Sequence, residues 1–339
     1  VQVNSCVRRN PRNRLSFRKC CEREGRHTML KKVNSNFMKK VMPYAGLIAL
    51  ILIFSLTTQG RFVAARNLTN IIGQSMVTMI AACGCIFVMA HNNLDFSLGG
   101  GCALIAALSF LVTKGQNLIL MLLACILFGI LCGSITAVIH IKGKIPAFMA
   151  GMCIMFVGRG VVEGLATNHV MNLPAYSAQY ANNLFYLLFL SAVFIITAVV
   201  FNYTKIGKAQ KLIGSNPKAA ELSGLNVGKY KAIAFAISGM TLGISAFLTM
   251  IRIGSVTKTI GSGLEPDVLI ALTLGGIPLT GGTGTKIKAA FIGTITYYIL
   301  GNGLTLWGLD ANLIYIVKGI IFLATVFVTM DRKGQRYVL

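Results

Sequence analysis

The stretch NLILMLLACILFGILCG, residues 117–133, is apolar at almost every position and contains no charged residue. Crossing a hydrocarbon core about 30 Å thick takes roughly 20 apolar residues in a helix. A transmembrane barrel would instead show short segments in which apolar and polar residues alternate. The stretch therefore predicts a membrane-spanning α-helix.

Similar apolar runs recur along the whole chain, which has 339 residues and is 55% hydrophobic. They lie at 43–58, 69–90, 94–113, 118–140, 145–166, 183–203, 231–251, 267–281, 288–306 and 312–330. A chain this apolar is typical of membrane proteins and not of soluble domains. The predicted fold is an all-α polytopic membrane protein with about ten membrane helices.

Basic residues greatly outnumber acidic ones, with 32 Lys and Arg against nine Asp and Glu. A soluble protein so basic would suggest a nucleic-acid partner. Here the basic residues lie in short segments between the apolar runs, which is the pattern of cytoplasmic loops under the positive-inside rule. We therefore expect a lipid bilayer and no nucleic acid as the surroundings of this chain.

The loop charges predict a topology with both termini in the cytoplasm. The segment 204–231 carries six Lys against the single acid Glu221, whereas 167–182 has neither Lys nor Arg. The first segment is therefore predicted to be cytoplasmic and the second external. Four basic residues fall on the outer side in this topology: Arg61, Arg66, Arg252 and Lys258.

The N-terminal region divides at Met29. Residues 1–28 contain eight Lys and Arg, two Glu and no apolar core of the kind found in signal peptides. We expect 1–28 to be a non-native upstream extension, with a disordered basic tail as the alternative. Residues 29–42 then form a cytoplasmic N-terminal segment, and 43–335 form one transmembrane domain.

Two apolar segments carry clusters of residues that disfavour helix. HNNLDFSLGGG begins with polar residues and ends in three glycines, and LTLGGIPLTGGTG holds four glycines and a proline within eight positions. Irregular backbone is tolerated in a bilayer where it is buried in protein or lines a wet cavity, so these clusters predict a translocation path. The alternative is close helix packing through small residues. The candidate pathway residues are Asn92, Asn93, Asp95, Ser97, Gly99, Gly275, Gly276, Thr280, Gly281 and Gly282.

The acidic residues near the membrane are few. Asp95, Glu163 and Asp267 lie nearest to it, and Glu265 is assigned to a loop. We expect the Asp95 carboxylate to accept hydrogen bonds from backbone N–H groups near residue 97 and so to shape the segment. The alternative is an interfacial acid that faces lipid headgroups.

The chain shows no recognisable catalytic, metal or nucleotide motif. The run GGTGTK at 281–286 lacks the GK[ST] ending of a phosphate-binding loop. His91, His140 and His169 are far apart in sequence and form no metal-binding pattern. We therefore expect no catalytic residue, no metal site and no bound cofactor in this chain.

Three motifs, in the same order, resemble the permease subunits of ribose-type ATP-binding-cassette (ABC) importers. NLDFSLGGGCAL (93–104) is similar to their G-I-D-L-S-V-G segment, and IGSNPKAAELSGLNVGKYK (213–231) to their cytoplasmic G-x-N-x-x-A-A-x-L-S-G-I-N loop. LGGIPLTGGTG (274–284) is similar to L-G-G-x-S-L-x-G-G-x-G. The resemblance extends over roughly residues 40–335 and departs at 91–93, at Pro278 and at Lys218.

The resemblance implies a subunit that works with several partners in a bacterial inner membrane. These are an ABC ATPase that binds ATP and Mg²⁺, an extracytoplasmic solute-binding protein and a second permease subunit. The solute would be a sugar or a similar neutral polar molecule. An ion-coupled secondary transporter is the alternative, and it would need an intramembrane acid such as Asp95 or Glu163 to bind the coupling ion.

The loop 204–231 suits a docking site for a separate ATPase. Asn216-Pro217 can start a short helix, and Gly224 can end it. The alternative is a solvated basic loop that only fixes topology. The candidate coupling residues are Gly214, Asn216, Ala219, Ala220, Glu221, Ser223 and Gly224.

Overall fold

The computed structural model describes residues 44–168 and 171–329. This part of the chain is helical and forms no β-sheet. The predicted extension 1–28 and the segment 29–42 lie outside the described residues. The helices are α1 Tyr44–Thr57, α2 Ala65–Ala90, α3 Leu98–Thr113, α4 Leu118–Lys142, α5 Ala147–Asn168, α6 Asn183–Tyr203, α7 Lys205–Ser215, α8 Pro217–Leu222, α9 Val227–Ile253, α10 Leu264–Leu274, α11 Lys288–Leu306 and α12 Ala311–Thr329. Short 3₁₀ turns occur at Ala175–Tyr180 and Gly282–Gly284.

Each of the ten apolar segments read from the sequence contains a helix. Six described helices, α2, α4, α5, α6, α9 and α11, are long and apolar enough to cross a membrane. Helices α1 and α3 are apolar but shorter, as is the part of α12 from Ala311 to Phe327, and α10 has 11 residues. The all-α polytopic fold is therefore confirmed, and the number of about ten spans stays a prediction.

Helices α2 and α9 form the centre of the molecule. From Met76 to Ala90 every residue of α2 is buried, and α9 packs against both α2 and α4. The contact between α4 and α9 depends on glycine: a Cβ on Gly129 would lie 2.2 Å from the carbonyl oxygen of Gly239, and one on Gly243 would lie 2.2 Å from that of Cys125. Small residues here let two backbones touch.

The outer helices present apolar side chains away from the protein. On α4 the exposed positions are large and aliphatic and recur every three or four residues: Ile119, Leu120, Leu123, Leu127, Leu131, Ile135 and Val138. Helix α6 has the same kind of outer face. Such a surface is stable against lipid and not against water, because its apolar area is large and continuous.

Helices α2 and α10 end in the same way. At Asn92 (φ +63°) and Gly276 (φ +91°) the backbone turns left-handed. The next N–H groups reach back to the carbonyls of Val88 and Leu272, at 3.3 and 3.1 Å. This is the Schellman arrangement, which satisfies carbonyls at a helix end. It leaves non-helical backbone at 91–97 and at 275–281.

The first glycine cluster does not interrupt a helix, contrary to the sequence-based prediction. Gly99, Gly100 and Gly101 lie in the first turn of α3 and are helical and buried. A Cβ on Gly100 would lie 2.4 Å from the Cα of Met155 on α5. The glycines therefore serve close packing, the alternative considered for them, and the irregular backbone lies before them.

Candidate translocation and coupling site

Asp95 ties the non-helical segment 91–97 to the start of α3. Its Oδ1 accepts hydrogen bonds from the Ser97 N–H at 2.9 Å and from the Ser97 hydroxyl at 2.6 Å. Oδ2 accepts from the Ser238 hydroxyl on α9 at 3.2 Å. The predicted bond from residue 97 is confirmed. The headgroup-facing alternative is wrong, because Asp95 is 2% exposed.

Glu265 is a second buried carboxylate at the start of α3, and the assignment of this residue to a loop is wrong. It lies in the first turn of α10 and is 6% exposed, and its Oε1 accepts from the Gly100 N–H at 3.0 Å. Side-chain oxygens stabilise helix N-termini by satisfying their free N–H groups. Gly99 permits this approach, since a Cβ there would lie 2.2 Å from Oε1.

The two non-helical segments meet at the end of α2. A Cβ on Gly281 would lie 2.4 Å from the carbonyl oxygen of Met89, 2.7 Å from that of Ala90 and 2.8 Å from the backbone nitrogen of Asn92. The expectation that the segments 92–101 and 275–284 lie near each other is therefore confirmed for this pair of ends. Gly99 lies at the far end of its segment, beside Glu265.

The other candidate pathway residues are placed differently. Asn92 is exposed and makes the left-handed turn that ends α2, and Thr280 is also exposed. The Asn93 amide lies 3.4 Å from Nε2 of His140 on α4. Gly275 packs on α11, where a Cβ would lie 2.1 Å from the carbonyl oxygen of Ala289.

The loop 204–231 contains the short helix that the sequence predicts. Helix α8 begins after Asn216, whose side chain accepts from the Ala219 N–H at 3.1 Å, and it has Pro217 at its first position. It ends at Leu222, and Gly224 follows two residues later with φ +81°. An Asn cap, an N-terminal proline and a left-handed glycine are the standard local signals for these ends.

Exposure separates the candidate coupling residues into two groups. Ala219, Glu221 and Ser223 are exposed, whereas Ala220 is buried and faces the protein. Leu222, which was not among the candidates, is 89% exposed at the end of α8. Helix α8 thus carries one large exposed apolar side chain.

Helix α7 holds this loop against the membrane domain. Gln210 is buried and donates through Nε2 to the Tyr230 carbonyl at 2.7 Å, and Gly207 packs on the backbone of Phe201. The Lys211 ammonium lies 4.3 Å from the centroid of the Phe201 ring. Burial lowers the pKa of the Lys211 ammonium, since it loses water there. One face of α7 is thus fixed to the protein.

The remaining acids near the membrane are paired. Glu163 forms an ion pair with Lys258 at 2.8 Å, and their side chains are 62% and 44% exposed. Asp267 accepts a hydrogen bond from the Tyr297 hydroxyl, to which Lys318 on α12 donates at 2.7 Å. The Lys318–Tyr297–Asp267 chain joins α12, α11 and α10. No sequence pattern connects these residues, which lie 21 and 30 positions apart.

A family model for the permease component of branched-chain amino acid transport systems matches residues 67–326. The match begins in α2 and ends in α12, so it includes both non-helical segments and the loop 204–231.

Several curated proteins are similar over most of the chain. The ribose import permease protein of Bacillus subtilis (strain 168) is 30% identical, with 87% of this chain and 94% of that protein aligned. The ribose import permease protein of Escherichia coli (strain K12) is 29% identical over 87% and 95%. The xylose transport system permease protein of Escherichia coli (strain K12) is 25% identical over 86% and 91%. No solved structure matches this chain.

Proposed function

This chain belongs to the family of permease components of branched-chain amino acid transport systems, and from that premise we propose that it is the membrane permease subunit of an ABC importer for a sugar. It is a multi-pass inner-membrane protein and not an enzyme. Ribose and xylose are the first solutes to test, because the similar proteins are named for their import.

The observation that carries the proposal is helix α8. It is a capped, solvent-exposed helix that ends in Leu222. It directly follows helix α7, which is packed against the protein. A transport subunit without an ATPase motif must be driven by ATP hydrolysis in another chain. A protruding helix is suited to contact that chain. We assign α8 to the binding of an ABC ATPase, which itself holds ATP and Mg²⁺.

The rest of the assembly follows from the same assignment. An extracytoplasmic binding protein delivers the sugar, and a second permease subunit completes the path. We assign α8 to the cytoplasm, and the lysine-rich segment 204–231 supports this side of the membrane. The pathway residues are proposed around Asp95 and Gly281, where non-helical backbone is packed against protein.

The ion-coupled alternative is not favoured. A coupling ion needs an intramembrane acid with free oxygen ligands. Both oxygens of Asp95 accept hydrogen bonds from serines, and Glu163 pairs with Lys258 in an exposed position. The similar proteins are import permeases by name.

Reconstitution in vesicles with the cognate ATPase and binding protein tests the proposal. We expect ribose or xylose uptake that requires ATP and is unaffected when ion gradients are collapsed. Leu222→Glu should abolish ATPase binding, because it puts a charge at the proposed apolar contact, while Lys218→Glu at the first turn of α8 is a matched exposed control with a smaller effect. Uptake that follows an ion gradient without ATP would refute the proposal.

A further inference from the structure

Three glycines bring the loop 204–231 into direct backbone contact with the end of α2. A Cβ on Gly214, at the end of α7, would lie 2.0 Å from the carbonyl oxygen of Ala90 and 2.7 Å from the backbone nitrogen of Gly282. A Cβ on Gly282 would lie 3.0 Å from the Ser215 hydroxyl oxygen. Elements α2, α7 and the turn at 282–284 therefore touch at one point.

The backbone at this point also requires glycine for its conformation. Gly281 has φ +63° and ψ −143°, a region that residues with side chains essentially never occupy. Gly282 follows with φ +83°. The chain thus turns sharply, so that Gly281 reaches the carbonyls of Met89 and Ala90 while Gly282 reaches Ser215. At Gly214 and Gly281 the backbones meet without a side chain between them, whereas Gly282 meets the Ser215 hydroxyl. In such close packing a displacement of one backbone displaces its neighbour.

The contact lies between the exposed helix α8 and the segment that leads to Asp95. On one side, Gly214 is two residues before Asn216, the cap of the exposed helix α8. On the other side, Ala90 is the last residue of α2, and the chain continues through 91–97 to Asp95 and the start of α3. The distance in sequence from the contact to Asp95 is only five residues.

We propose that Gly214, Gly281 and Gly282 form a backbone joint that transmits movement of the α7–α8 loop to the segment 91–97 and so couples ATPase docking to the path. This inference rests on the proposed function. It gives Gly214 a positioning role inside the subunit, separate from the docking surface itself.

The test is Gly214→Ala in the reconstituted complex, with basal ATPase activity and stimulation by the sugar-loaded binding protein measured together. Stimulation is expressed relative to the basal rate of the same preparation, so that a change in the amount of bound ATPase cancels. The added methyl pushes α7 away from Ala90, so stimulation should fall about fivefold or more, the lower range of a typical coupling effect. Uptake per ATP should fall with it.

Gly207→Ala is the matched control for a clash in the same helix. A Cβ there would lie 1.9 Å from the Phe201 carbonyl oxygen, at the opposite end of α7 from the joint. We expect it to reduce the amount of folded protein while stimulation per folded complex persists. Gly228→Ala, where the nearest atom would be at 3.4 Å, should change neither quantity.

The outcomes separate the joint from the proposed function. If wild-type complex shows no ATP-dependent uptake, the proposed function fails. If the wild type is coupled and Gly214→Ala keeps full stimulation, the joint is wrong and the function stands. The joint is also wrong if Gly207→Ala loses stimulation to the same extent as Gly214→Ala, since a general disturbance of α7 would then be sufficient.

Discussion

Replacing Asp95 with Ala withdraws the acceptor used by the Ser97 N–H in the buried segment before α3. The hydroxyls of Ser97 and Ser238 can rotate toward other acceptors, but the N–H cannot. A buried donor left without a partner costs about 1–3 kcal/mol. We therefore expect Asp95→Ala to reduce the free energy of unfolding by about 2 kcal/mol.

Asp95→Asn should restore nearly all of this loss. Its Oδ1 can accept from both Ser97 groups, and its amide can donate to the Ser238 hydroxyl, so each bond has a counterpart. Asn and Asp side chains both accept from the backbone N–H two residues on, so the expected cost is small. Denaturation of the purified protein in mixed micelles measures the free energy, and ATP-dependent uptake in vesicles measures function.

Glu163→Gln provides the control, since it removes a carboxylate from an exposed ion pair that contributes about 1 kcal/mol at most. Uptake by Asp95→Asn near the wild-type rate supports a structural cap. If Asn is as damaging as Ala, the negative charge itself is required and the cap argument is refuted. If, in addition, wild-type uptake follows an ion gradient without ATP, the ABC assignment fails.

Three further predictions use other parts of the molecule. Gly224→Trp strains the left-handed end of α8 and adds bulk beside the docking surface, so substrate-stimulated ATPase activity should be lost while membrane insertion, measured by fractionation, persists. In a Cys-free background, Gln179→Cys should react with an impermeant thiol reagent from outside and Ser215→Cys only after permeabilisation; the reverse pattern would invert the topology. Lys318→Met removes the cation that reaches the Asp267 carboxylate through the Tyr297 hydroxyl, and it should cost about 1–3 kcal/mol of unfolding free energy. A double variant that also carries Asp267→Asn should recover most of this loss, and no recovery would contradict a charge effect.

The local features of the site were predictable because their causes are close in sequence. Asn216, Pro217 and Gly224 act on α8 within a few residues, and the helix forms where they predict it. The bond from Ser97 to Asp95 spans two residues. In each case the side chain and the backbone group that it satisfies belong to the same turn, so the pattern of residue types is sufficient.

The features that were missed depend on contacts between distant elements. Glu265 and Gly100 are 165 positions apart, and no sequence pattern links them. Ala220 is small and lies in a polar loop, but its position on α8 turns it toward the protein. The glycines at 99–101 looked like a helix break, and only the close approach of α5 and Glu265 shows that they permit packing.

The glycine contacts between α4 and α9 imply that these two helices keep their relative position while other parts of the transporter move. Gly129 and Gly133 receive carbonyls of α9, and Gly239 and Gly243 receive carbonyls of α4. Sliding either helix by one turn, about 5.4 Å, would put a residue with a Cβ, such as Cys125 or Phe247, at a position that glycine now holds. The distance between spectroscopic labels on α4 and α9 should therefore stay constant through the transport cycle. This pair of helices can serve as the fixed reference against which displacements of α3, α8 and α10 are measured.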